Sequence, residues 1–147
     1  MLIVFLSSLL LIALTTLMHY EVLRGLHARL PASSIPHRSR LLVVVFATFA
    51  SHVAQVVLYG LAMYLLVNYA EVGKLDAPDG PSLASCMYFS AEAYTSLGFG
   101  DIKPTGPIRL VVGIEALNGL LLIGWSASYM YIAMERFWEA ARKGHSR

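Results

Sequence analysis

Thr95-Ser96-Leu97-Gly98-Phe99-Gly100-Asp101 places two glycines at alternate positions in an apolar, aromatic-rich region and follows them at once with an acid. Glycine visits positive φ at little cost, so such a pair lets successive residues take opposite backbone hands. Carbonyls that alternate in an ordinary strand can then all point to one side. A row of aligned carbonyl oxygens is a cation site of the hard-ligand type. Alone, Gly-x-Gly-Asp reads more simply as a turn before an acid. The flanking sequence decides between the two.

That sequence is far from a soluble composition. The 147 residues are 57% hydrophobic and only 14% charged, with a mean hydropathy of +0.63, whereas globular chains carry about 25% charged residues. The net charge of +2 is too mild to suggest nucleic acid as a partner. A single cysteine, Cys86, excludes an intrachain disulfide and a multi-cysteine metal site, and its apolar neighbours suit a small buried side chain. The composition is that of a small integral membrane protein.

Upstream, residues 1–20 contain no Asp, Glu, Lys or Arg, and about 20 helical residues cover a bilayer core. A signal peptide is disfavoured because no positive segment precedes the apolar run and no convincing cleavage site ends it. A transmembrane helix is therefore expected over 1–24. Residues 25–40 read as a basic loop, broken by Pro31 and Pro36 and carrying Arg29, Arg38 and Arg40 without an acid. Leu41 to Ala70 is 30 residues without a formal charge, long enough for a tilted membrane helix. Residues 71–81 are polar and turn-rich, with Glu71, Asp76 and Asp79 against Lys74. Downstream, Leu110 to Met134 is a third apolar span, 25 residues with one carboxylate, Glu115. A short charged tail, 135–147, follows. The positive-inside rule puts the basic loop, and with it the C-terminal tail, in the cytoplasm.

Ser82 to Thr95 does not fit a plain three-helix protein. It begins with a capping-type serine after Pro81 and reads as a helix of 14 residues, about 21 Å long and too short to cross. A half-membrane helix followed by non-helical backbone is tolerated only where protein surrounds it or it lines water. Residues 82–101 are therefore expected to re-enter, with a short helix going in and an extended strand coming out.

A membrane helix, a polar turret, a short helix, the seven-residue motif and a further membrane helix together resemble the pore module of the potassium channel family. Against the family's Thr-x-Gly-Tyr-Gly, Ser96 takes the threonine position, Leu97 the x position and Phe99 the tyrosine position, while Gly98, Gly100 and Asp101 match outright. Thr95 matches the residue that often precedes the motif. Glu92 falls where many members carry a glutamate, Pro104 and Arg109 follow at family-like spacing, and Gly119 falls near the usual inner-helix hinge. The resemblance covers about residues 41–137 and leaves the first helix unexplained.

The resemblance implies an all-α membrane protein: three transmembrane helices, a re-entrant pore helix at 82–95, a filter at 96–101 and an inner helix at 108–134. It implies a C4 homotetramer in a bacterial inner membrane, in contact with lipid, passing K⁺ and needing no other cofactor. No nucleophile–base pair or cofactor motif suggests an enzyme. Carbonyls of Ser96, Leu97, Gly98 and Phe99, with the Ser96 hydroxyl and the Gly100 turn, would replace the hydration shell of K⁺. One chain supplies one strip of oxygens, and four chains around an axis complete the cage. Pore-helix C-terminal dipoles would favour a cation in the cavity behind. Ser96 lacks a methyl group of threonine, Phe99 lacks the tyrosine hydroxyl, and Tyr88 and Phe89 stand where tryptophans are common. A less tightly braced filter of this kind points to non-selective Na⁺/K⁺ conduction as the alternative.

In the same register Glu92 and Asp101 are expected to pair behind the filter. Leu120, Ile123 and Ala127 would line the cavity, with Tyr131 near the inner gate. Gly119 and Gly124 suit either bending or close packing. Glu115 is a functional candidate as an intramembrane acid, or a structural one bonded to Asn118, His52 or the pore helix. His19 and His52 raise the separate idea of a haem-binding protein, but His19 reads as the end of its helix and His52 as mid-span, a poor match in depth. An accessory membrane subunit without a conduction path is the remaining class. The first helix lacks the repeated arginines of a voltage sensor.

Overall fold

The computed structural model describes residues 1–78 and 80–145. Asp79 of the expected turret and residues 146–147 of the expected tail lie outside them. The elements run α1 (Leu2–Arg29), α2 (His37–Asn68), β1 (Lys74–Asp76), α3 (Leu83–Tyr94), β2 (Lys103–Thr105) and α4 (Ile108–His145). All of α1, Ser39–Asn68 of α2 and Ile108–Arg136 of α4 are each long and apolar enough to cross a membrane. The protein is a multi-pass, mostly helical membrane protein.

The helix ends differ from the sequence expectation for identifiable reasons. Gly25 does not stop α1, since one glycine costs a helix only about 1 kcal/mol. The helix runs on to Arg29, and Leu30 still has helical backbone with its N–H donating to the Leu26 carbonyl; the ladder stops at Pro31, which has no N–H to continue it. Pro36 caps α2, which begins at His37, four residues before the expected Leu41; the Pro36 carbonyl accepts the first helical bond from Arg40 N–H at 3.2 Å. The basic loop shrinks accordingly. Arg40 closes it, donating from Nε to the Ile35 carbonyl and from Nη2 to the Ser33 carbonyl, both at 2.9 Å. Nothing in the sequence breaks α4 at Met134, and it continues through the expected tail to His145.

One stripe of α1 is buried: Val4, Ser8, Leu11, Thr15, His19 and Leu23, spaced three or four apart and so on one face. That face packs against both α2 and α4. The short α3 sits between α2 and α4, and Tyr59, Tyr94, Ile108 and Val111 meet in the principal apolar cluster. A second cluster joins Met63, Leu75, Cys86, Phe89 and Ile102. The outer faces stay apolar, with Phe46, Phe49 and Leu121 each about two-thirds exposed, as suits a surface solvated by lipid tails.

No strand pairing is expected from the sequence. Lys74–Asp76 and Lys103–Thr105 form a two-stranded antiparallel ribbon in the register Lys74↔Thr105, Leu75↔Pro104 and Asp76↔Lys103. Leu75 points inward and is 4% exposed. Ile108 N–H donates to the Val72 carbonyl at 2.9 Å, which ties the start of α4 to the segment after α2. The ribbon thereby joins the two chain segments that flank α3 and the glycine motif.

Candidate functional site

Ser82 caps α3, its hydroxyl accepting from Ser85 N–H at 3.1 Å. At the other end, Ser96 N–H donates to the Ala93 carbonyl at 3.0 Å and Leu97 N–H to the Glu92 carbonyl at 2.9 Å. This pair is the Schellman closure, which needs a left-handed residue just past the cap. Thr95 is the cap, and Ser96 takes the left-handed position with φ 57°. Thr95 Oγ1 donates to the Ala91 carbonyl at 2.7 Å and satisfies one more helix-end oxygen.

From Ser96 the backbone alternates in hand. Ser96, Gly98 and Gly100 have φ of 57°, 58° and 83°, while Leu97 and Phe99 between them are not positive. Alternation cancels the usual flip of successive peptide planes and lets carbonyls share a side. A Cβ on Gly98 or Gly100 would meet nothing within 4 Å, so glycine is required there by conformation and not by space. Leu97 and Phe99 are 60% and 67% exposed. The motif ends where Ile102 turns into the second apolar cluster and β2 begins.

The support residues named from sequence divide. Phe89 is packed in that cluster and Tyr88 is exposed. Glu92 is buried and Asp101 exposed. Among the described residues neither carboxylate oxygen of Glu92 has a hydrogen-bond partner, so no hydrogen bond joins it to Asp101. On α4, Leu120, Ile123, Ala127 and Tyr131 are exposed along one stripe, and the Tyr131 hydroxyl donates to Glu135 Oε1 at 3.0 Å. Gly119 is buried, and a Cβ there would stand 2.1 Å from the Tyr94 carbonyl oxygen. Its smallness lets α4 touch the C-terminal end of α3.

Behind the motif lies a polar interior that the sequence reading only touched. Glu115 is wholly buried and meets Ser90 of α3 at 2.5 Å, while Ser90 Oγ also contacts the Val56 carbonyl at 2.8 Å. Of the partners expected for Glu115, the short helix is the one it meets. Asn118 Nδ2 donates to Thr15 Oγ1 at 2.8 Å and to the Tyr59 hydroxyl at 3.1 Å. His19 and His52 lie with ring centroids 5.1 Å apart, which corrects the expected mismatch in depth. The longer α1 brings His19 inside the bundle instead of leaving it at a helix end. All four imidazole nitrogens engage protein groups: Ser51, Gln55 and Ser126 around His19, and Tyr94 and Ser126 around His52. That arrangement leaves no ring nitrogen free for iron.

A family model described as "Ion channel" matches residues 40–136, from α2 through the motif into α4. The curated inward rectifier potassium channel Kirbac3.1 of Paramagnetospirillum magnetotacticum is 27% identical over 101 residues, 68% of this chain and 34% of the relative. The chain thus spans about a third of the length of that relative. No solved structure matches.

Proposed function

We propose a function on the premise that the chain belongs to the ion channel family, whose model spans most of it. The protein is a homotetrameric potassium-selective channel. K⁺ passes along the axis through stacked carbonyls of Ser96, Leu97, Gly98 and Phe99, with Gly100 turning the strand outward. The observation that carries this reading is the alternation of backbone hand from Ser96 to Gly100, directly after a short capped helix.

Selectivity rests on replacing the hydration shell of K⁺ by carbonyl oxygens at matched energy. A single chain presents one strip of them, so the working unit is four chains about an axis. The exposed side chains of Leu97 and Phe99 and the exposed α4 stripe of Leu120, Ile123, Ala127 and Tyr131 support this. In the tetramer that stripe lines the cavity, apolar enough to gate by dewetting. The α3 helix re-enters from the outer side and aims its C-terminal dipole at the cavity. Glu92 and Asp101, unbonded to each other in one chain, brace the filter in the assembled tetramer, and K⁺ is the permeant ion with no further cofactor. The basic loop and C-terminus face the cytoplasm of a bacterial inner membrane.

Purified protein in liposomes loaded with K⁺ tests this. A K⁺ gradient is expected to collapse when a counter-ion path is supplied, while liposomes carrying the Gly98→Ala variant hold theirs. Equal retention by wild type and empty liposomes would remove the channel function.

A further inference from the structure

α1 lies outside the segment the family model matches, yet one of its side chains completes a closed circuit with the other helices. Gln55 Nε2 meets His19 Nδ1 at 3.2 Å, and His19 Nε2 meets Ser126 Oγ at 3.1 Å. Ser126 Oγ meets His52 Nε2 at 2.9 Å, His52 Nδ1 meets the Tyr94 hydroxyl at 2.8 Å, and that hydroxyl returns to Gln55 Oε1. The circuit takes one residue from α1, two from α2, one from α3 and one from α4. The geometry points to His19 as a positioning residue for the ion filter, acting from outside the pore module through this ring of five hydrogen bonds.

The proton count supports a ring over a set of separate contacts. With one proton on each imidazole, every member donates once and accepts once. Gln55 donates to His19, His19 to Ser126, Ser126 to His52, His52 to Tyr94, and Tyr94 to Gln55. Ser51 Oγ takes the second Gln55 proton at 3.0 Å and fixes which way the amide faces. Removing any member strands a donor on one side and an acceptor on the other. A buried polar group left without its partner is costly, so the ring acts as a unit.

Tyr94 is where the ring meets the filter. It is the last residue of α3, 1% exposed, with its carbonyl against Gly119 and its hydroxyl in the ring. The next two residues are the cap Thr95 and the left-handed Ser96. A tilt of the Tyr94 ring therefore passes directly into the turn that starts the alternating backbone. Thr15, the other polar α1 anchor, contacts Asn118 and has no bond to any ring member. It separates docking of α1 from the ring itself.

The inference rests on the channel function, and its test has two arms. In bilayer recordings, His19→Leu and Tyr94→Phe are each expected to lower K⁺ over Na⁺ permeability by about tenfold, equivalent to about 1.4 kcal/mol. The double variant should be no worse than the worse single. Thr15→Val should match wild type, and His19→Gln, whose amide supplies an N–H donor and a carbonyl acceptor, should recover most of the loss. Wild-type selectivity in His19→Leu, or losses that multiply in the double variant, would overturn the coupling. The second arm needs no conduction: ¹⁵N-imidazole spectra of labelled protein should show one protonated and one accepting nitrogen on each ring. Tyr94→Phe should shift the His19 resonances although the two side chains share no bond, and unmoved His19 resonances would overturn the ring even if His19→Leu fails to assemble. A wild-type protein that passes no cation while its spectra show the coupled ring would instead defeat the channel function alone.

Discussion

Ser96 illustrates how much one residue carries. Its left-handed backbone closes α3 and begins the alternation, at a cost of about 1–2 kcal/mol for an L-residue. The glycine pair was legible in the sequence because glycine advertises unusual backbone. The serine was not, because left-handed serine looks like any other serine until the helix before it is seen to end. At Gly98 the requirement is conformational, so Gly98→Ala should fold with a loss of about 1 kcal/mol and abolish cation flux, read by thermal unfolding in detergent beside liposome flux. Gly119→Ala should do the opposite. Its methyl group would collide with the Tyr94 carbonyl, and overpacking against backbone costs roughly 1–3 kcal/mol or more. A lowered unfolding midpoint and poor oligomer yield are expected, and a midpoint equal to wild type would contradict the close approach.

Among the elements, long apolar runs announced α1, α2 and α4, and Pro81-Ser82 announced α3. Their ends were less legible, because Gly25 and the charged residues after Met134 weaken a helix without breaking it. The β1–β2 ribbon was invisible: three residues a side with Pro104 in one strand carry no strand pattern, and the partners are separated by 26 intervening residues. It holds the far end of the glycine motif as the α3 cap holds the near end. Leu75 is its buried anchor. Leu75→Ala is expected to lower stability by about 2–5 kcal/mol, measured by denaturant or thermal unfolding in detergent, and to weaken K⁺ selectivity more than a comparable truncation at exposed Phe46. Equal selectivity in the two variants would remove the ribbon from the filter's support.

For the whole molecule, sequence and structure meet at different depths. The polar interior was only partly legible: His19, His52 and Glu115 stood out as costly in a membrane. Their partners Ser51 and Gln55 on α2, Ser90 and Tyr94 on α3 and Ser126 on α4 are brought together only by packing. A single chain leaves Leu97, Phe99 and one α4 stripe uncovered, and native mass spectrometry in detergent should find four chains per particle. A monomer or dimer under conditions that preserve conduction would contradict the shared pore. The most direct test of the central claim is the reversal potential of the reconstituted protein between K⁺ on one side and Na⁺ on the other. The account predicts a potential close to the K⁺ equilibrium value. A reversal potential near zero, with conductance intact, would contradict selective K⁺ conduction through the Ser96–Gly100 backbone.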